Sequence, residues 1–297
     1  MIEVRECESD ADLEAWRRVR IAVLPNERCA SVEEMRRAAT PETLWLVAKL
    51  DCELAGSGLS TRSDFAGTAF VAPRVLPEKR RSGVGTALLR ALVARAAADG
   101  FASASSIVDD EGSRAFGERF GFEGDWQQVE QVRDIGRDEA RPHVPDGVEL
   151  VSLAERPELF ERSYHELAVE ALADLPLESP IDVSFEDWTR EWVSWPEGSF
   201  VALVGDEIVG CAGLIRDHDV PDRAEHSLTA VRRDHRGEGI ARALKQRTIA
   251  WASENGLREL YTWTQDGNDA MRGLNASLGY ATRSVCTRVR AGLPLGA

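Results

Sequence analysis

At 297 residues, with 43% hydrophobic and 29% charged residues, the chain is long enough for two globular domains, each with its own core. A formal net charge of −15 disfavours nonspecific binding to nucleic acid or to an anionic membrane, and it suits a cationic amine substrate. The five cysteines (Cys7, Cys29, Cys52, Cys211 and Cys286) are odd in number and form no C-x-x-C pair, which excludes a disulfide framework or zinc ribbon and reads as a cytoplasmic, reduced chain.

Residues 1–7 read as a strand rather than a signal peptide, and no apolar run approaches membrane-spanning length. Asp10 is placed to cap a helix with an apolar stripe of Leu13, Trp16, Val19 and Val23. Ser31 with Glu34 forms a capping-box pattern for a second helix. Strands follow over 43–50, 53–61 and 65–75; Pro73 puts that point of the third strand at an edge or a bulge. Val75-Leu76-Pro77 leads into a glycine-bearing loop, and Val84, Leu88, Leu92 and Ala96 recur at helical spacing up to Gly100. A strand over 101–108, a helix marked by Ser113, Phe116 and Phe120, a sixth strand from Gly121-Phe122 and a seventh over 129–135 complete the first half. Residues 136–147, charged and carrying Pro142 and Pro145, read as a linker between a domain over 1–138 and a domain over 146–297.

The order then repeats. A strand begins at Val148, residues 155–175 are helical, and Ser184 with Asp187 opens a helix through Trp195 that bears Trp188 and Trp192. Strands over 200–204, 208–215 and 224–231 lead to a second loop and to a helix with Ile240, Leu244, Thr248 and Trp251 on one face. A strand over 257–264, a helix over 268–278 and strands over 280–283 and 285–290 end the chain.

The two loops share one pattern, Arg-x-x-Gly-x-Gly/Ala: Arg80-Arg81-Ser82-Gly83-Val84-Gly85 and Arg236-Gly237-Glu238-Gly239-Ile240-Ala241, 156 residues apart. Each follows a strand with a valine five residues before its arginine, Val75 or Val231, and each opens a helix. Glycine permits a tight turn and close backbone approach, and a helix N-terminus favours an anion, so each loop is a phosphate cradle. A P-loop needs Lys-Ser/Thr where Ile240-Ala241 stands, and a dinucleotide fingerprint needs Gly or Ala where Arg242 stands. Later landmarks match too, Phe120-Gly121-Phe122 against Leu278-Gly279-Tyr280, so the chain reads as a tandem duplication.

The two loops, with Asn268-x-x-Met271-x-x-Leu274-Asn275-x-x-Leu278-Gly279-Tyr280, resemble the GCN5-related N-acetyltransferases in a two-domain form. The resemblance implies an α+β fold in each half, a mixed, mostly antiparallel sheet flanked by helices. It implies acetyl-CoA as co-substrate, a small-molecule or peptide amine as acceptor, and no metal, in a monomer or homodimer. Matched residue by residue, Arg236, Gly237, Glu238, Gly239, Ile240, Ala241 and Arg242 would meet the coenzyme diphosphate. The backbone of Thr229, Ala230 and Val231 would meet the pantetheine arm, and Asn268 would contact the coenzyme or simply cap its helix. In the first half Val75, Arg80, Arg81, Ser82, Gly83, Val84 and Gly85 are the corresponding set.

A primary amine needs a base before it can attack a thioester. Glu225, eleven residues before Arg236, matches the family's base position; the same count from Arg80 falls on Ala69. His226 points to the other face of the strand and reads as a buried or surface histidine, and Tyr261 and Tyr280 read as packing residues. The family's thiolate-protonating tyrosine would fall at Gly117 and Asn275, neither of which is an acid. These readings leave three possibilities: an N-acetyltransferase working in the second half, a non-catalytic acyl-CoA-binding or sensing protein, or two active domains with different acceptors.

Overall fold

The computed structural model describes residues 1–63, 65–174, 183–191 and 195–296. The first half contains β1 (Ile2–Glu6), α1 (Asp10–Val23), α2 (Val32–Ala38), β2 (Leu44–Leu50), β3 (Glu53–Arg62), β4 (Thr68–Val75), α3 (Val84–Ala98), β5 (Ser103–Val108), α4 (Glu111–Glu118) and β6 (Glu123–Asp134). The second contains β7 (Val148–Ser152), α5 (Leu159–Ser163), α6 (Val169–Ala173), α7 (Phe185–Glu191), β8 (Phe200–Val204), β9 (Glu207–Arg216), β10 (Arg223–Val231), α8 (Ile240–Glu254), β11 (Glu259–Gln265), α9 (Asp269–Ser277) and β12 (Ala281–Gly292). A π-turn, Tyr164–Ala168, joins α5 to α6, so the helical run predicted over 155–175 begins only at Leu159, runs to Ala173 and carries one widened turn. Trp192 and Leu175 lie outside the described residues, and Trp195 precedes a 3-10 turn rather than ending α7.

Local signals explain most boundaries. Ser9, not Asp10, caps α1: its hydroxyl accepts from the Asp12 N–H while the Asp12 carboxylate accepts from the Ser9 N–H. Asp10 falls one residue inside, where its charge suits the helix dipole. The Ser31–Glu34 box closes as the spacing predicts.

The chain forms two compact units, residues 1–127 with 286–297 and residues 128–285. In the first, β1, β2, β3, β4 and β5 lie side by side in that order, and residues 287–292 of β12 pair antiparallel with β5. In the second, residues 128–134 of β6 pair antiparallel with β11, which is followed by β10, β9, β8 and β7. Of these pairings only β4–β5 and β10–β11 are parallel, which gives the mixed, mostly antiparallel sheet flanked by helices expected of each half. The separate sixth and seventh strands predicted in each half are instead single strands, β6 and β12. The sequence explains this: between Trp126 and Asp134, and between Ala281 and Ala291, there is no Gly, Pro or Asn to make a hairpin. Each unit therefore takes its last strand from the other half of the sequence.

Each sheet is packed on both faces. In the first unit Val84, Leu88, Leu92 and Ala96 of α3 cover one face, and Leu13 and Trp16 of α1 with Met35 of α2 cover the other. In the second, Ile240, Leu244, Ile249 and Ala252 of α8 cover one face, and Leu159, Leu167, Leu172 and Trp188 cover the other. Burying each large apolar side chain contributes about 1.5–3 kcal/mol. Gly210 lets α8 sit close to β9: a Cβ there would lie 3.0 Å from Leu244 and 3.1 Å from the Ala230 carbonyl.

Candidate active site

β10 pairs with β9 up to Val231, but with β11 only from Arg223 to His226. Beyond His226 the two parallel strands part, leaving a fork. Thr229, Ala230 and Val231 pair with Ala212, Cys211 and Gly210 on one side. Their other edge is open to an extended arm bearing amides, which can bind as an added strand does. At the fork β10 holds one extra residue between His226 and Thr229, a bulge.

The first unit forks in the same way, with β4 and β5 paired only from Thr68 to Phe70. The β3–β4 register runs unbroken through Pro73, so Pro73 lies at an edge and β4 carries no bulge. The extra residue in β10 shifts the comparison of the halves. By pairing, Ala69↔Ala104 corresponds to Ala224↔Leu260, so the counterpart of Glu225 is Phe70 rather than the Ala69 reached by counting.

Both loops adopt one shape. Gly239 at φ 87° and Gly83 at φ 90° stand at the N-caps of two 15-residue helices. Neither helix start is capped by a side chain or carries an acid in its first turn, so main-chain N–H groups are left for an anion. Gly237 has φ 86°, and Arg81 takes the same left-handed conformation at φ 63°, a costly one for a residue with a Cβ. Arg236 and Arg80 act on the protein itself: their Nε atoms donate to the Val231 and Val75 carbonyls at 3.0 and 3.4 Å. Arg236 also donates to Asp174, which Arg233 shares; the two guanidiniums hold that carboxyl well below its usual range and tie α6 to the loop.

The other predicted coenzyme residues are spread around this cradle. Ile240 and Val84 are buried anchors of their helices. Glu238 is exposed beside His235, Arg242 donates to Ser277 Oγ at 2.8 Å, and Ser82 Oγ donates to the Lys79 carbonyl at 2.6 Å. Ala241 is half-buried one residue into α8, and a Cβ at Gly85 would meet Phe116 and Val75 at ordinary contact distance. Asn268 caps α9, its side chain accepting the Met271 N–H at 3.3 Å.

Glu225 lies on β10 at the fork, on the face away from α8. Its neighbours Ala224 and His226 are buried, Ala224 within the core that α8 covers. The register sets Tyr261 of β11 directly opposite, and the Tyr261 hydroxyl donates to Glu225 Oε2 at 3.0 Å. Tyr261 is 1% exposed, with the Arg223 and Arg283 guanidiniums each 5.6 Å from its ring centre. Arg223 is fixed by the buried Asp217, Nε to Oδ2 at 2.7 Å. Arg283 bridges Glu130 and Glu259, with Nε to Glu130 at 3.0 Å and Nη1 to Glu259 at 2.9 Å. The carboxylate at the fork thus accepts from a hydroxyl whose ring stands beside two ion-paired guanidiniums. Sequence reading took Tyr261 for packing, because nothing local reveals a partner 36 residues away.

Asn275, at the position where an acidic tyrosine was sought, is fully buried and donates to Gln131 Oε1 at 2.9 Å. Among the described residues no group of three or more His, Cys, Asp or Glu could hold a metal ion, and no helix is long and apolar enough to cross a membrane.

The acetyltransferase (GNAT) family model matches residues 6–122 and 160–280. Mycothiol acetyltransferase of Geodermatophilus obscurus is 26% identical over 255 residues, covering 81% of this chain and 79% of that protein. N-alpha-acetyltransferase 30 of Schizosaccharomyces pombe is 31% identical over 88 residues, 29% of this chain and only 59% of that protein. Among solved structures, a GCN5-related N-acetyltransferase from Sphaerobacter thermophilus superposes with TM-score 0.77 at 21% identity, covering 98% of this chain and 95% of that one. A tandem GNAT protein from the clavulanic acid biosynthesis pathway gives TM-score 0.78 at 20% identity, with 98% of each chain covered. At these identities the structural likeness speaks to the fold.

Proposed function

The chain belongs to the acetyltransferase (GNAT) family as a tandem of two domains, and from that premise we propose that it is an acetyl-CoA-dependent N-acetyltransferase whose working site lies in the second half. One observation carries the reading: the open strand fork, the bulge, the uncapped glycine helix start and a carboxylate all meet on β10 and the loop after it. The first unit has the fork and the loop, but it lacks the bulge, and Phe70 stands at the carboxylate position. It therefore serves as a structural partner or a second coenzyme-binding site.

In this reading the α8 N-terminus and the main chain of residues 236–242 take the diphosphate, and the open edge of residues 229–231 pairs with the pantetheine amides. The acceptor amine reaches the thioester from the face that carries Glu225. Glu225, directly or through a water, takes the ammonium proton; the amine nitrogen then attacks the thioester carbonyl and the C–S bond breaks. Tyr261 holds the carboxylate in place through its 3.0 Å hydrogen bond. The acceptor is a small-molecule or peptide amine.

The test is an amine panel assayed for coenzyme A release, with wild type and Glu225→Gln. The proposal expects Glu225→Gln to lose turnover by about 100-fold or more while its acetyl-CoA affinity holds. A wild type that binds acetyl-CoA and acetylates nothing would favour the sensing-module alternative.

A further inference from the structure

The duplication supplies an internal control for the two forks. One residue before the matched valines, Val75 and Val231, β4 carries Arg74 and β10 carries Ala230. Their partners across the ladder differ too: Arg74 pairs with Ser57 of β3, and Ala230 with Cys211 of β9. In the second unit Ala230 and Cys211 are buried in one apolar cluster with Leu159 and Leu167. The fold closes this spot there with no charged group, and the first unit places an arginine and a serine at the same spot.

The protein satisfies neither. Ser57 is 0% exposed, and its Oγ has no hydrogen-bond partner. Arg74 Nη1 is shut off from solvent and likewise has none. Among the described residues no oxygen accepts from Arg74 Nε or Nη2, and no carboxylate is ion-paired with the residue. Those two nitrogens are not shut off, however, and Arg74 as a whole is only half-buried, so its guanidinium can be reached. It lies 5.6 Å from the centre of the Trp16 ring, and Trp16 Nε1 donates to the Gly58 carbonyl at 2.7 Å, which fixes the ring. A guanidinium with unmade hydrogen bonds in such a place costs stability and calls for an explanation.

The local charge points the same way. Glu27, the carboxylate that acts on Arg74, already accepts from Arg20 Nη2 at 2.6 Å. Burial first, and then the Arg20 charge, bring Arg74 down to about 9, with Glu27 and Cys29 pulling the other way. Two guanidiniums share one carboxylate, so the spot is one negative charge short. It is also well placed for a ligand. Since β4 and β5 pair only from Thr68 to Phe70, Arg74 stands on the free stretch of β4, on the face that α1 covers.

We propose that Arg74, backed by Trp16, binds the carboxylate of a small-molecule acid in the first unit. Nε and Nη2 lie along one edge of a guanidinium and offer two parallel N–H groups, the geometry that a carboxylate accepts in bidentate fashion. A monoanion also restores the balance among Arg74, Arg20 and Glu27, whereas a phosphate dianion would overshoot it. Phosphate has its own place at the glycine helix starts. The site needs neither coenzyme nor amine, so it stands apart from the acetyl-transfer reading. It gives the first unit a ligand opposite in charge to the cationic acceptor expected at Glu225.

The test uses the full chain and sodium formate, acetate, propionate, lactate and benzoate, each compared with chloride at equal ionic strength. Wild type and Arg74→Met are melted with each salt, and the best acid is titrated by calorimetry. Arg74→Gln is added in case the first variant folds poorly. At least one acid should raise the wild-type melting temperature in a saturable way. Arg74→Met should bind that acid about 10- to 100-fold more weakly, as the loss of hydrogen bonds to a charged group requires. Inorganic phosphate is the counter-probe, and its effect should be equal in wild type and variant. Amine acetylation in the Arg74 variants should stay within about twofold of wild type, so loss of acid binding and loss of turnover are read separately. No saturable response to any acid overturns the site, as does an equal response in wild type and both variants, the result of a merely structural arginine. A phosphate response that disappears with Arg74, in a protein that binds none of the acids, overturns the carboxylate assignment.

Discussion

Replacing Lys245 by leucine should make the protein more stable, by an amount that depends on pH in a defined way. Lys245 is 1% exposed, and burial lowers its ammonium from 10.5 to about 7. That gap, 3.5 units from the two printed values, corresponds to about 5 kcal/mol at ~1.36 kcal/mol per unit. Below pH 7 the folded and unfolded chains both hold the proton, and the native state bears the full penalty of a buried charge. Between about pH 7 and 10.5 the unfolded chain holds more protons than the native one, so wild-type stability climbs with pH. Leucine removes the climb. The variant's advantage should therefore be largest at pH 6 and shrink by about 5 kcal/mol by pH 10.5; titrating groups away from Lys245 cancel in the comparison, and His226, which the Lys245 charge lowers, is held down chiefly by its own burial in both proteins. Urea unfolding of both proteins at several pH values measures this, with tryptophan fluorescence reporting the second unit through Trp188, Trp195, Trp251 and Trp263. A stability difference that stays flat within about 1 kcal/mol over that range would refute the claim of a buried, depressed lysine.

Other perturbations test other joints. Asp217→Ala should destabilise the second unit by about 3–5 kcal/mol, because it strips a buried Arg223 of its carboxylate; loss of less than about 1 kcal/mol in a melt would contradict that. Tyr261→Phe should lower kcat about 10- to 100-fold with acetyl-CoA affinity intact, since one hydrogen bond to a charged group is removed; an unchanged kcat would mean that Tyr261 does not position Glu225. Gly239→Val places a β-branched residue at φ 87° and should abolish coenzyme binding in the second half. The matching Gly83→Val, at φ 90°, reports by calorimetric stoichiometry whether the first loop binds a second equivalent. Gly198→Ala should destabilise by about 1–3 kcal/mol, because its Cβ would lie 2.7 Å from the Trp251 ring.

The phosphate cradle, the duplication and the alternation of strands and helices were legible along the chain, because glycine spacing and apolar periodicity are local properties. The Ser31–Glu34 box is one such signal, as is the stripe of Ile240, Leu244, Thr248 and Trp251 that packs inward. Lys245 was not legible. In sequence it sits between Leu244 and Gln246 like any helix lysine, and only the docking of α8 on its sheet turns it into the core.

What the sequence by itself determined was which segments become strands and helices, and where two helices begin on glycine. The tertiary structure decided what those segments meet. It set Tyr261 opposite Glu225, put Phe70 rather than Ala69 at the matching place through a one-residue bulge, and gave each unit a strand from the other half. Those outcomes depend on the register between segments tens of residues apart. Register is fixed by how whole faces pack, and a one-residue slip turns every side chain to the opposite face.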